Sequence, residues 1–378
     1  MQTVAAGAAS TMLGTGGSKL AAAASPLAPA RSPEEPSLTR VILDTDTATD
    51  DAIAILLAMN APHIKVEAIT IAVGNVDYDQ ETRNALYTLE VSGHANQVPV
   101  YQGSRRPLTR AVHGTATYVH GADGMGNSNF PAPEQKPESE YAIDAMIRLI
   151  EKFPGEITII AIGAITNVAL MLLCKPSIAP LIKSIYFMGG CYKFYGNVTP
   201  VATFNVWVDP EAARIVFQSG IPITTAGFDI SVRSSVFTDA DYDRVQQLGT
   251  PMSRFFLSIN KVRRAYCKEH QKMAGSNHPD ALTTALVIDP TIATQLLPRY
   301  VDIETQGELT TGTMVIDELG VYGKPPNAAI CAEANEKKFK DLVFAALAGQ
   351  PAARRIGLPP KSATYAESSL KYAHPILT

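Results

Sequence analysis

From residue 40 onward, short apolar runs rich in β-branched residues alternate with stretches whose apolar residues recur at helical spacing. Arg40-Val-Ile-Leu-Asp44 reads as a buried strand, and Ala52, Ile55, Leu56 and Met59 then fall at i, i+3, i+4 and i+7, one face of a helix. The same logic predicts strands over Val66–Val73, Val98–Gln102, Ile157–Ile162, Ser184–Met188 and Ile223–Ala226. Between them it predicts helices over Gln80–Val91, Tyr141–Phe153, Asn167–Cys174 and Pro210–Ser219. Strands that are apolar on both faces and alternate with helices imply an α/β domain with a mostly parallel central sheet flanked by helices. In open sheets of this kind ligands bind beyond the carboxyl ends of the strands, so chemistry is sought just after each strand.

Two segments break the rhythm. Residues Gly103–Glu140 are rich in Gly and Pro and carry His113, His120 and Asp123; Asp239–Ala274 reads as two polar helices. Long excursions at the carboxyl edge of a sheet are often lids or substrate loops. Nothing marks an internal repeat or a second independent domain. Residues 1–36 differ from the rest, being mostly Ala, Gly, Ser and Pro. Ala21–Ala24 followed by Ser25 resembles a small-residue cleavage site, but no basic side chain precedes Leu13. Two readings stand: an export signal, which would make the protein periplasmic or secreted, or a low-complexity tail on a cytoplasmic protein. On either, the folded domain is expected over residues 37–378.

Composition narrows the function classes. The chain has 378 residues, 46% of them hydrophobic and 18% charged, enough for a large packed core. A formal net charge of −4 supplies no basic field for a polyanion, which argues against nucleic-acid binding. No run of eighteen apolar residues suggests a membrane span. The four cysteines, Cys174, Cys191, Cys267 and Cys331, form no C-x-x-C pair, so they read as packing residues rather than zinc or redox ligands.

The chemistry concentrates in Asp44-Thr-Asp46-Thr-Ala-Thr-Asp50-Asp51, four carboxylates within eight residues between a buried strand and a helix start. Helix capping explains one or two such acids; four that repel one another call for a positive charge among them. A hard divalent cation with oxygen ligands is the better account. An EF-hand loop is excluded because Ala48 and Thr49 stand where Asp or Asn and Gly are needed. A phosphatase of the haloacid-dehalogenase type also opens with strand-Asp-x-Asp, but Ala48 and the doubled Asp50-Asp51 depart from that pattern.

The whole string resembles the signature of the inosine-uridine-preferring nucleoside hydrolases, Asp-x-Asp-x-x-x-Asp-Asp. Further segments follow in that family's order: Val73-Gly-Asn75, the loop Val119-His-Gly-Ala-Asp-Gly-Met-Gly126, and the turn Ile162-Gly-Ala-Ile-Thr-Asn167. Met188-Gly-Gly190, Gly196-Asn197, Phe204-Asn205, Asp209-Pro-Glu-Ala-Ala213 and Val287-Ile-Asp-Pro290 complete the set. The resemblance runs from about Arg40 to near Leu347 and implies a single Rossmann-like open-sheet domain. It implies hydrolysis of the N-glycosidic bond of ribonucleosides, purine or pyrimidine, with Ca2+ as cofactor and a homo-oligomeric state, dimer or tetramer.

Position by position, the resemblance gives Asp46 as metal ligand and general base, with Asp51, Asp280 and the carbonyl of Ile162 as further ligands. Asp50, Asn75, Asn197, Thr203 and Asn205 would grip the ribose, and Asp44 would support the loop. Two departures stand out. Thr203 occupies a place where the family usually has Glu, which implies weaker discrimination around the ribose 5′ end. Pro279 stands where many members have a His that serves the leaving base, so His278, His120 and Tyr266 all remain candidates for that task. A different class of reading also remains: a calcium-dependent nucleoside- or ribose-binding protein on the same scaffold, without turnover.

Overall fold

A computed structural model describes residues 38–111 and 114–349. The proposed signal or tail over residues 1–36, and His113, lie outside the described residues. Nine strands form the central sheet: β1 (Thr39–Thr45), β2 (Ile64–Ile71), β3 (Val100–Gln102), β4 (Ile157–Ala161), β5 (Ser184–Met188), β6 (Ile223–Ala226), and, beyond a small ribbon, β9 (Ala293–Ile303), β10 (Met314–Asp317) and β11 (Ala328–Ala334). The ribbon pairs β7 (Phe237–Thr238) with β8 (Gly275–Ser276).

The sheet order is β10-β9-β11-β6-β5-β4-β1-β2-β3. Every pair from β11 to β3 is parallel, and β9 alone runs against its neighbours β11 and β10. The chain moves outward from β1 through β2 to β3, then returns to build β4, β5 and β6 on the other side of β1. The strand order therefore reverses between β1 and β4, and a crevice opens at their carboxyl ends. β1 shows why both faces are apolar. Val41 and Leu43 enter one buried cluster and Ile42 the other, as the two-residue period of a strand requires.

The helix Thr49–Asn60, expected to bury one face, is buried from Thr49 through Ala58. It packs against the helices Tyr78–Val91, Pro279–Ile288 and Glu336–Leu347, so every side has a partner. The region Asp239–Ala274 holds three helices rather than two: Asp239–Leu248, Pro251–Ile259 and Lys261–Glu269. Gly249 at φ +63° ends the first, and Pro251 at the first turn begins the next, with the Thr250 hydroxyl accepting from the Ser253 N–H. The loop after β3 forms one short helix, Thr117–His120, and then a turn built around Asp123, whose carboxylate accepts from the backbone N–H groups of Met125, Asn127 and Asn129. All four cysteines are free, and Cys174 is exposed, which corrects its reading as a packing residue: it closes its helix on the solvent side. No helix among the described residues is long and apolar enough to cross a membrane.

Candidate active site

Asp46 is the first residue beyond β1, at the reversal of strand order. The backbone closes around its carboxylate through two glycines. A Cβ on Gly74 would lie 1.8 Å from Asp46 Oδ2, and one on Gly163 would lie 2.9 Å from Oδ1. The glycines of the Val-Gly-Asn and Ile-Gly-Ala segments thus make room for this side chain. Both Asp46 oxygens are buried and no donor reaches them. Burial, and then the neighbouring acids Asp51 and Glu81, push its pKa well above the usual carboxylate range.

Asp50 and Asp51 open the helix Thr49–Asn60, and Asp280 opens the helix Pro279–Ile288, so the positive ends of two helix dipoles meet these acids. Asp51 accepts from Thr45 Oγ1 at 2.7 Å and the Ala48 N–H at 3.0 Å, and Asn75 Nδ2 donates to it at 3.3 Å. Burial and the charge of Asp50 still raise it to about 6. Asp280 is pushed well up by burial, Asp50 and Asp51. Asp50 goes the other way. Burial opposes its charge, but Arg263, with Nη2 at 3.0 Å from Oδ2, together with a hydrogen bond from Asp280, holds Asp50 below the usual range.

Asp50, Asp51 and Asp280 each present a carboxylate oxygen within 4.8 Å of the others, so this buried cluster could hold a metal ion. The donor set fits a hard cation: oxygen atoms only, several acids with raised pKa, and a fourth acid, Asp46, with two partnerless oxygens. Asp44 stands apart. Its Oδ1 accepts from Thr70 Oγ1 at 2.6 Å and Asn167 Nδ2 at 2.8 Å, which ties β1 to β2 and to the helix after β4.

Above the acids lies a cavity lined by Asp50, Asn75, His120, Ile162, Asn197, Asn205 and Asp280, all named from the sequence. Asn75 Nδ2 also donates to the Asp46 carbonyl at 3.2 Å, which joins the cavity wall to the acids below. Asn205 Nδ2 donates to the Ile162 carbonyl at 2.7 Å, and Asn197 Oδ1 accepts from the Phe204 N–H at 2.8 Å. These amides bridge the ends of β4 and β5 and the loop that follows β5.

Three expected residues stand elsewhere. Thr203 is fully buried and does not line the cavity; its hydroxyl accepts from the Gly190 N–H at 2.8 Å. His278 is packed among Phe237 and Phe256, with Nε2 3.1 Å from Ser276 Oγ, and burial lowers its pKa to about 3. Tyr266 packs edge-on against Tyr118, and Tyr118 takes the place on the cavity wall. His120 does line it, with Nδ1 2.7 Å from Thr49 Oγ1; burial brings its pKa down to about 3 and leaves the ring neutral.

The sequence reading missed Tyr118, Arg263, Gln271 and Asn277, all on the wall. Arg263 gave no signal because the tract Lys261-Val-Arg-Arg264 reads as a solvated polar face. Asn277 is held by Arg263, whose Nε donates to the Asn277 carbonyl at 2.9 Å, and by its own Nδ2 on Ser231 Oγ at 3.0 Å.

The family model of the inosine-uridine preferring nucleoside hydrolases matches residues 41–341. The pyrimidine-specific ribonucleoside hydrolase RihA of Citrobacter koseri is 37% identical over 309 residues, 82% of this chain and 97% of the relative. RihA of Salmonella arizonae is 36% identical over 80% of this chain and 96% of its own length. Among solved structures, a plant nucleoside hydrolase superposes with a TM-score of 0.77 at 29% identity, covering 82% of this chain and 99% of that one. The purine-preferring ribonucleoside hydrolase of Gardnerella vaginalis also superposes with a TM-score of 0.77, at 27% identity over 82% of this chain and 98% of that one. With the reversal of strand order, the buried acids and the cavity above them in place, these matches show that the chain belongs to the inosine-uridine preferring nucleoside hydrolase family and is a hydrolase of N-glycosyl bonds.

Proposed function

We propose that this enzyme hydrolyses ribonucleosides, pyrimidine nucleosides foremost, using calcium and Asp46 as general base. The observation that carries the reading is the Asp46 carboxylate, buried between two glycines beside Asp51 with no hydrogen-bond donor on either oxygen. Two buried carboxylate oxygens without donors leave one free to hold the ion and one to accept the proton of a neighbouring water, as a general base requires. Asp51, Asp280, Asp46 and the Ile162 carbonyl would hold the ion, because Asp50 already has its compensating charge in Arg263. A bound calcium ion supplies positive charge that lowers the pKa of the attacking water.

The chain's own groups do the rest. Asp50, Asn75, Asn197 and Asn205 present carboxylate and amide groups to the ribose hydroxyls; the three amides are kept in place by bonds to the backbone and Asp50 by its ion pair with Arg263. Asp46 takes the proton of the water that attacks C1′. The pyrimidine preference extends to this chain the specificity named for its RihA relatives, which match it over nearly their whole length.

The test is release of free base from uridine, cytidine, inosine and adenosine, with calcium and with excess chelator. Turnover of the pyrimidine nucleosides that chelation abolishes and calcium restores is expected. Nucleoside binding with no turnover in calcium would favour a binding protein on this scaffold, and turnover indifferent to chelator would remove the metal.

A further inference from the structure

The departing base is the part of the reaction with no obvious partner in the sequence, and the cavity holds a group suited to it. Arg263 is the one permanently charged cation among the described residues that line the cavity, and it is 5% exposed. Its position is fixed: Nε donates to the Asn277 carbonyl at 2.9 Å, and Nη2 pairs with Asp50 Oδ2 at 3.0 Å and reaches Asn277 Oδ1 at 3.4 Å. These contacts run through Nε and Nη2, which leaves the donors of Nη1 for a ligand. The other candidates are worse placed. His278 and Tyr266 do not line the cavity, and His120, tied through Nδ1 to Thr49, has a single ring nitrogen left for a ligand and no permanent charge.

Resting on the nucleoside-hydrolase reading above, we propose that Arg263 is a catalytic residue that stabilises the leaving base. It donates to the ring carbonyl beside the glycosidic nitrogen and holds the negative charge that arrives there. The C1′–N bond breaks and both of its electrons go to the base. Water forms the new C1′–O bond and gives one proton to Asp46. The base leaves as an anion, its charge shared between the ring nitrogen and the neighbouring oxygen against Arg263, and then takes a proton from solvent. Asp46 returns its proton to solvent, so one nucleoside and one water give one ribose and one base. A guanidinium does not give up its proton in this pH range, so Arg263 acts by charge and hydrogen bonding, not as an acid. In a buried site a fixed donor aimed at developing charge needs no reorganisation when the bond breaks.

The same cation also pairs with Asp50, so the test must separate a leaving-group role from positioning of the ribose. Arg263→Gln and Arg263→Lys are compared with wild type, in calcium, on uridine and on 4-nitrophenyl β-D-ribofuranoside. The ribose is the same in both substrates, but nitrophenolate departs without help. Loss of a preorganised donor typically costs about 10²- to 10³-fold in kcat, which is the loss expected for Arg263→Gln on uridine. On the aryl riboside its loss is expected to be at least about tenfold smaller, with Arg263→Lys intermediate on uridine. Equal losses on the two substrates in a folded variant overturn the proposal and make Arg263 a positioning partner of Asp50. If the melting curve shows that Arg263→Gln does not fold, the ratio of losses is read on Arg263→Lys, where the charge on Asp50 stays compensated. Wild-type protein that cleaves the aryl riboside but no nucleoside overturns this proposal alone; protein that cleaves neither overturns the hydrolase mechanism beneath it.

Discussion

Gly74→Ala tests whether turnover depends on the place that the backbone makes for Asp46. The added Cβ would fall 1.8 Å from Asp46 Oδ2, 2.6 Å from Cγ and 2.8 Å from Cβ. Ordinary contact begins near 3.4 Å, so the carboxylate must move by roughly 1.5 Å or the turn at Gly74 must open by that amount. Rotation of the side chain relieves little, because its Cβ is also too close and the backbone at Gly163 closes the other side. Overpacking of this kind costs about 1–3 kcal/mol, which at roughly 1–1.5 °C per kcal/mol in a chain of this size lowers the melting temperature by about 1–4 °C. The effect on rate is expected to be larger. Misplacing a reacting group by about 1 Å can cost on the order of 10²-fold, and here the displaced group is the proposed base itself. The assay is kcat/KM for uridine, with a thermal melt on the same preparation. A variant that melts as wild type does and keeps kcat/KM within about threefold would refute the reasoning, since the carboxylate would then tolerate displacement at no cost to chemistry.

Asp46→Asn is expected to keep the fold and lose turnover by orders of magnitude, because an amide cannot take the water's proton; near wild-type base release from folded protein at saturating calcium would remove Asp46 from the role. Calcium should raise thermal stability by mass action, about 2.7 kcal/mol at a hundredfold excess over Kd, and identical melts of metal-free protein in chelator and in calcium would contradict the site. Thr203→Val leaves the buried Gly190 N–H without its acceptor and should cost about 1–3 kcal/mol in a denaturant titration while leaving the cavity lining intact; an unchanged midpoint would show that this bond contributes nothing.

Much of the site was legible in the sequence because it is local. The acids at 44, 46, 50 and 51 run from the end of one strand to the first turn of the next helix, so a strand reading and a helix reading already place them at a sheet's carboxyl edge. The alternation of β-branched runs with helical spacing was enough for the layer architecture, since it reflects burial of each strand on both faces. Three decisions needed the tertiary structure. Which acids remain uncompensated depended on Arg263, which lies 213 residues beyond Asp50 and reaches it only because its helix packs beside the crevice. Whether a candidate lines the cavity depended on packing. His278 and Thr203 stand beside site residues in sequence, yet one ring is enclosed by aromatic side chains and the other's hydroxyl is taken by a backbone N–H. The glycines at 74 and 163 were visible as motif letters, but their purpose was not. Only the close approach of two distant turns to one carboxylate shows that a Cβ at either would displace Asp46, because sequence spacing carries no information about how near separate loops come in space.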